Sequence, residues 1–407
     1  MKGLVLFLLV WTMPSAFASS SALHVWNEQA FRSAFATRLT SFPEVSNVVA
    51  TLNVAMFEAA NAIERRYEPY LYRDPVPLNA NAQAAVHAAA YAVLVARFPS
   101  QASLLVNTYN VEIGKLADDV RKADGIRVGN QAARAILLSR PAELRSRPQN
   151  WAPRTPAGAY VPTTDVVAPE LGRSTPWLLA RADQFRPRPP PPLDSEAYKE
   201  ALREVAVIGR ATTPRRTQNQ TDAALFWAMS GVHAWNRALV QSLAQSPSNA
   251  VDALRMGALL NMALADSYIA AWEAKYHYSL WRPVTAIRRQ IQSGETTEAT
   301  WQPLLETPLH PEYPSGHSVN AGVGLSIIQS LLPNLPGRTL IISSEDPNGP
   351  KRSFQSAQAM ADEISDARVW AGIHFRFSCD EGREMGALIA KFAIKSVLSP
   401  RNGRPSD

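Results

Sequence analysis

The chain is expected to be all-α, built from packed helical bundles. Three observations predict this. Long stretches repeat apolar residues at the spacing of one helix face. Strong helix formers fill those stretches, which lack internal proline. Strand patterns are scarce, and Thr339 to Ser343 is the single short β-like run. With 407 residues, 46% of them hydrophobic, the chain has enough apolar material for a sizeable core.

In chain order, the first residues read MKGLVLFLLVWTMPSAFASS. Lys2 is a short positive region, Gly3 to Met13 an apolar one, and Ala16-Phe17-Ala18 a small-x-small cleavage signal. The expectation is a signal peptide over 1–18, cut after Ala18, with an uncleaved anchor as the alternative. The product would be exported, periplasmic or secreted, and without a membrane span. An N-terminal helical bundle is expected over 19–140. Val45 to Arg65 carries Val48, Leu52, Met56, Ala59, Ala60 and Ile63 on one helical face. Asn81 to Arg97 is alanine-rich and apolar all round, as a buried helix is, and His87 within it reads as a satisfied core histidine. Leu104 to Leu138 holds one or two more helices, with Gly125 near their junction.

From 141 to 193 prolines and glycines interrupt any period, and Arg186 to Leu193 is a polyproline stretch. This is expected to be a long connector between two helical halves. Helical pattern resumes over 194–400, leaving a tail at 401–407. Its helices are expected at Ser195–Ile208 with Asp194 or Ser195 as N-cap, Thr221–Met229, Asn249–Tyr278, Val319–Leu332, Ser353–Val369 and Gly382–Val397.

Composition narrows function. The net charge of +6 is mild and spread out, which argues against nucleic acid as a partner. A single cysteine, Cys379, excludes an internal disulfide and reads as an inert packed thiol.

Chemistry concentrates between Lys275 and His374, in three blocks. In Lys275-Tyr-His-Tyr-Ser-Leu-Trp-Arg282-Pro283, two helical turns separate the cations, Pro283 is expected to stop the helix, and Trp272 shares the face. Taken alone, that block reads first as a solvated basic helix end. Pro314-Ser315-Gly316-His317 precedes an apolar helix, so backbone N–H groups and the helix dipole would face an anion. Gly316 admits close approach and His317 moves protons near neutral pH. A plain serine cap beside an incidental histidine is the alternative. In Arg368-Val-Trp-Ala-Gly-Ile-His374, arginine offers a planar fork and His374 a ring nitrogen that attacks or ligates. A buried helix with a stray Arg and His is the alternative there. Four of the seven histidines (His277, His310, His317, His374) fall in this stretch.

Taken in order, the blocks resemble the vanadium-dependent haloperoxidase and type-2 phosphatidic acid phosphatase superfamily, whose pattern is K-x6-R-P, P-S-G-H and S-R-x5-H-x3-D. The first two blocks match completely. In the third, Ala367 replaces the pattern's Ser and Ser378 its Asp, with Asp380 a possible substitute. FEAANAIERRYEPY and AWEAKYHYSLWRPVTAIR further resemble the soluble, secreted haloperoxidase-like branch.

The resemblance implies helical bundles with an oxyanion buried in the C-terminal half. Lys275, Arg282, Ser315, Gly316 and Arg368 would bind vanadate, or phosphate in its place. His374 would ligate vanadium, and His317 would be the acid/base. Trp272 and His310 stand where haloperoxidase relatives carry Trp and bromide-oxidising ones His. The expected activity is oxidation of halide, bromide favoured, by hydrogen peroxide to a hypohalous species that meets a small organic substrate. The alternatives are a soluble exported acid phosphatase working through a phosphohistidine at His374, and a catalytically silent oxyanion-binding protein. A homo-oligomer is compatible with this reading.

Overall fold

The computed structural model describes residues 15–39, 41–140, 151–162, 165–246, 248–289, 299–333, 339–344 and 349–401. Helices dominate, as the periodicity requires. The centre is a 29-residue helix, α9 (Ala250–Tyr278), buried along nearly its whole length. Its start and stop are local. The Asn249 side chain accepts from the Val251 N–H, and Ser279 closes the other end in the left-handed conformation (φ 51°).

Around α9 stand α1 (Ser15–Ala36), α2 (Phe42–Glu64), α11 (Gly316–Leu331) and α13 (Arg376–Ser396). One apolar cluster runs through all of them, from Ala22 to Leu398. Inside it lies a polar ladder. Asn53 donates to Asn27, Asn27 to Asn236 on α8 (Gly231–Leu243), and Asn236 and Asn261 bond each other, at 2.8–2.9 Å. Buried amides must be paired, so this ladder sets the register of four helices.

α3 (Ala82–Arg97) and α5 (Val120–Ser139) flank α2, and α4 (Ala102–Gly114) packs on α3. The predicted junction near Gly125 is displaced: the break falls between Gly114 and Asp119, and Gly125 is internal to α5. It is small because a Cβ there would sit 2.3 Å from the Asn81 carbonyl oxygen. His87 is buried and accepts the Trp26 indole N–H (3.0 Å), the satisfied core histidine expected.

The connector is not loose where it meets α9. Asp266, fully buried, accepts the backbone N–H groups of Trp177, Leu178 and Leu179 at 2.5, 2.8 and 3.0 Å. Glu58 on α2 does the same for Tyr70, Leu71 and Tyr72. Two buried carboxylates thus pin two irregular segments, since a buried unpaired N–H costs about 1–3 kcal/mol.

α6 (Glu196–Ile208) starts at Ser195, whose hydroxyl accepts the Tyr198 N–H. α7 spans Gln218–Phe226, earlier than expected, because Thr217 and Gln220 form a reciprocal cap. α1 and α8 were not anticipated. Pro283 requires a correction. α9 ends at Ser279, and Pro283 opens α10 (Pro283–Arg289) where its missing N–H costs nothing. Arg282 therefore lies in the turn between two helices, not on the face of α9 with Lys275.

α12 (Ala357–Trp370) carries Arg368, and a turn holding His374 leads into α13. Both helices begin several residues from the expected starts. The β-like run is real: β1 (Leu340–Ser343) pairs antiparallel with β2 (Lys351–Phe354). Among the described residues no single helix is long and apolar enough to cross a membrane.

Candidate oxyanion site

Helix order brings the three blocks to one place. The end of α9, the start of α11 and the α12–α13 turn meet around a cavity of about 410 Å³. Gly316, His317, Arg368, His374, His310 and Trp272 line it. Aromatic and apolar side chains, among them Phe42, Tyr268, Leu305 and Ile373, form most of the remaining wall, with the exposed Glu306 at its edge. Phe42 stands 275 positions before His317 and carries no local sign of this role.

α11 begins at Gly316, with Ser315 as an N-cap whose side chain makes no capping bond. Its first-turn N–H groups therefore have no side-chain cap, and the dipole points its positive end at the cavity. Ser315 is held behind them. Its N–H donates to the Ser378 carbonyl (3.0 Å), and its hydroxyl accepts from Ser318 (3.2 Å). A Cβ at Gly316 would touch only Trp272, at 3.7 Å, so a ligand meets bare backbone there.

Arg368 is buried and donates from Nη1 to the Trp227 carbonyl (2.6 Å). Its Nε–H is buried without a partner. An orphaned guanidinium donor on a cavity wall is what an oxyanion would satisfy.

Lys275 and Arg282 come to the site but not as expected. Lys275 Nζ is fully buried and donates to the carbonyls of Pro311 (3.2 Å), Glu312 (2.9 Å) and Pro314 (2.5 Å). All three of its hydrogens are committed to that loop, so it offers an anion charge rather than a hydrogen bond. Arg282 donates to the carbonyls of His310 (3.0 Å) and Ile373 (2.8 Å), and meets His310 Nδ1 at 3.0 Å and His374 Nε2 at 3.3 Å. The clamp holds all three blocks in register.

Burial makes these charges unusual. Desolvation, then Arg282, pushes Lys275 well below its ordinary pKa. Desolvation lowers Arg282 and Arg368 to about 10. His310, His317 and His374 all fall well below the ordinary histidine value, through burial first and neighbouring cations second. The histidines are therefore neutral. Three buried cations share one buried carboxylate, Glu312, so the site carries uncompensated positive charge.

The ring environments differ. His317 Nε2 lies 3.1 Å from the Met229 carbonyl, which only accepts, so the proton is on Nε2 and the lone pair on Nδ1. His310 packs against Trp272 with the rings tilted at 44° and their centroids 4.8 Å apart, and the Trp272 indole N–H is fixed to the Val167 carbonyl (3.3 Å). The Arg282 guanidinium and the Pro311 carbonyl (3.1 Å) both approach His310 Nδ1.

His374 exposes the missed residue. Its Nδ1 lies 2.7 Å from Glu312 Oε1. Asp380 does not take the place of the pattern's missing aspartate: it is exposed and sits in the field of Arg376 and Arg383. Burial raises Glu312 to about 7, offset by Arg282 and Lys275. A lone acid five residues before His317, inside an otherwise uncharged run, was the available sequence signal. Cys379 is buried, its thiol pushed up to about 12 by desolvation, and is as inert as expected.

Residues 255–403 match the family model of the VCPO second helical-bundle domain. Vanadium chloroperoxidase from Curvularia inaequalis is 24% identical over an alignment that takes in 57% of this chain and 49% of that protein. The chain thus spans about half the length of the curated relative it matches.

The fold extends the likeness over nearly the whole chain. A bacterial vanadium-dependent iodoperoxidase superposes with a TM-score of 0.76 at 24% identity, over 94% of this chain and 97% of that one. The apo and holo forms of a bacterial vanadium-dependent chloroperoxidase give 0.64 and 0.63, at 17% and 18% identity. They cover 85% and 86% of this chain, and 92% and 91% of theirs. The helical-bundle fold is therefore that of vanadium haloperoxidases.

Proposed function

We propose that the protein is a vanadate-dependent haloperoxidase, oxidising halide with hydrogen peroxide. The observation that carries this is the buried charge imbalance: Lys275, Arg282 and Arg368 are buried around the site, the buried carboxylate among them, Glu312, is turned to His374, and the other acid on the cavity wall, Glu306, is exposed. A buried surplus of this kind calls for an anion. The donors suit a tetrahedral one. The Arg368 Nε–H and the α11 N-terminus at Gly316 and His317 offer hydrogen bonds from two sides, and His374 offers a ring nitrogen.

Vanadate bound there would activate hydrogen peroxide towards halide. The chain's own part is distinct. Lys275 and Arg282 hold the field and the loop geometry. His374 Nε2, where Arg282 Nη1 now approaches at 3.3 Å, carries the lone pair that would turn from that contact to the central atom, and His317 would take up a proton at Nδ1. Trp272 and His310 form the wall on which halide would sit, and His310 is the basis for favouring bromide over other halides, with a hypohalous species as product. The largely apolar remainder of the cavity, apart from Glu306, suits a small organic acceptor.

We further propose export with loss of 1–18. The first described core side chain is Ala22, so removal of that segment takes no described core residue away. N-terminal sequencing of the exported protein would read from Ser19; a start at Met1 overturns it.

The deciding experiment is paired. Protein loaded with vanadate is expected to brominate a phenol-type dye with bromide and peroxide, and His374→Ala to abolish this. Release of phosphate from a phosphomonoester with no bromination would replace the proposal with a phosphatase working through His374. Oxyanion binding by calorimetry without turnover in either assay would make it a silent binder.

A further inference from the structure

Glu312 holds no anion, since its charge has the wrong sign. It is nevertheless fully buried, and its Oε1 takes two N–H groups from consecutive residues, His374 Nδ1 at 2.7 Å and Phe375 N at 3.0 Å. We propose that Glu312 is the positioning residue of His374, replacing from another loop the carboxylate absent at position 378. The proposal rests on His374 as the group that would meet the oxyanion's central atom.

Two donors converging on one oxygen are an orienting geometry. Charge balance alone would need only proximity to the cations. Oε1 accepts whether or not the carboxyl carries a proton, because the other oxygen, Oε2, has no hydrogen-bond partner and is free to hold it. His374 is thereby kept with its proton on Nδ1 and its lone pair on Nε2, where Arg282 Nη1 approaches at 3.3 Å. The ring is fixed from both edges.

Glu312 is itself held. Its N–H donates to the Leu280 carbonyl (3.0 Å), and its own carbonyl accepts Lys275 Nζ (2.9 Å). Lys275 thus sets the loop, the loop sets Glu312, and Glu312 sets His374. Ser378 lies in the first turn of α13, and its buried hydroxyl makes no hydrogen bond. An aspartate at 378 would reach for the same imidazole edge.

The test uses full-length protein labelled with 15N-histidine, in buffer without vanadate, and vanadate titration of the same samples. His374→Ala assigns the resonance. Wild type is expected to show the Nδ1–H form of His374. Glu312→Ala is expected to lose that form and to raise the vanadate Kd about 10- to 100-fold, the usual effect of removing the partner of a ligating histidine. Glu312→Ala/Ser378→Asp is expected to recover both readouts.

A Glu312→Ala protein with the wild-type tautomer and Kd overturns the proposal, as does a double variant that stays at the level of the single one. Should Glu312→Ala fail to fold, Glu312→Gln carries the test, because its neutral amide keeps the volume but accepts more weakly. Its vanadate Kd should rise, and an unchanged Kd overturns the assignment. Wild type that binds no vanadate, yet loses the Nδ1–H form on Glu312→Ala, refutes the oxyanion reading and leaves the positioning role standing.

Discussion

Gly386→Ala should damage the site without touching the cavity wall. α11 brings Gly316 and His317, and α13 follows His374 by two residues, so the distance between these helices sets the distance between two blocks. They meet backbone to backbone. A Cβ at Gly386 would lie 2.0 Å from the Val319 carbonyl oxygen and 2.9 Å from Val323 N. From the other side, a Cβ at Gly322 would lie 2.1 Å from the Arg383 oxygen. Ordinary contact begins near 3.4 Å, so the helices must part by about 1.4 Å locally. Alanine favours helix over glycine by about 1 kcal/mol. Overpacking costs about 1–3 kcal/mol, and here the obstacles are main-chain atoms that cannot swing aside. Against rigid main-chain atoms the upper end of that cost applies and the clash should win, with a net loss of up to about 2 kcal/mol. At the site, about 1 Å of misplacement is worth roughly 100-fold in rate. Urea denaturation and the bromination rate of vanadate-loaded protein read the two effects. Gly114→Ala is the control. Nothing lies within 4 Å of a Cβ there, so stability should hold or rise by up to about 1 kcal/mol. Gly386→Ala at or above wild-type stability with full activity would refute the reasoning.

Three other outcomes follow from the same structure. Arg368→Lys keeps a charge but removes the orphaned Nε donor, so phosphate or vanadate affinity by calorimetry should fall about tenfold or more; equal affinity means no anion meets Nε. Asp266→Ala leaves three backbone N–H groups of the connector unpaired, and denaturation should show a loss of at least about 3 kcal/mol; a loss below 1 kcal/mol would mean that water takes over. His87, lowered by burial to about 4, is neutral in the fold but protonates near 6.5 when unfolded. Its contribution is therefore complete above about pH 6.5 and lost as pH falls towards 4, about 3 kcal/mol in full. His87→Leu should flatten that part of the stability–pH curve, and parallel curves for variant and wild type would exclude it.

Much of the fold was legible because its causes are local. Apolar spacing, Asn249 and Ser195 as caps, and the lack of proline between residues 249 and 278 specify helices without reference to anything distant. Of the helices that were missed, α1 is short on one-sided pattern, whereas α8 has a clear apolar face but starts at Ser230 without a side-chain cap bond to mark it. Pro283 was misassigned because proline stops one helix and starts the next with equal ease, and the left-handed Ser279 that decides between them leaves no mark in the sequence.

The site divides the same way. Residue type and order alone determined that cations, a Ser-Gly turn and histidines suited to an oxyanion recur in three blocks between Lys275 and His374. What each donor is committed to was decided by tertiary structure. Lys275 binds three carbonyls of a loop about 36–39 residues away in the chain, Arg282 bridges His310 and His374, and Arg368 alone keeps a free buried N–H. Glu312 meets His374 across 62 positions. A hydrogen bond needs atoms within about 3 Å, and sequence carries chemical identity but not the packing that brings such atoms together.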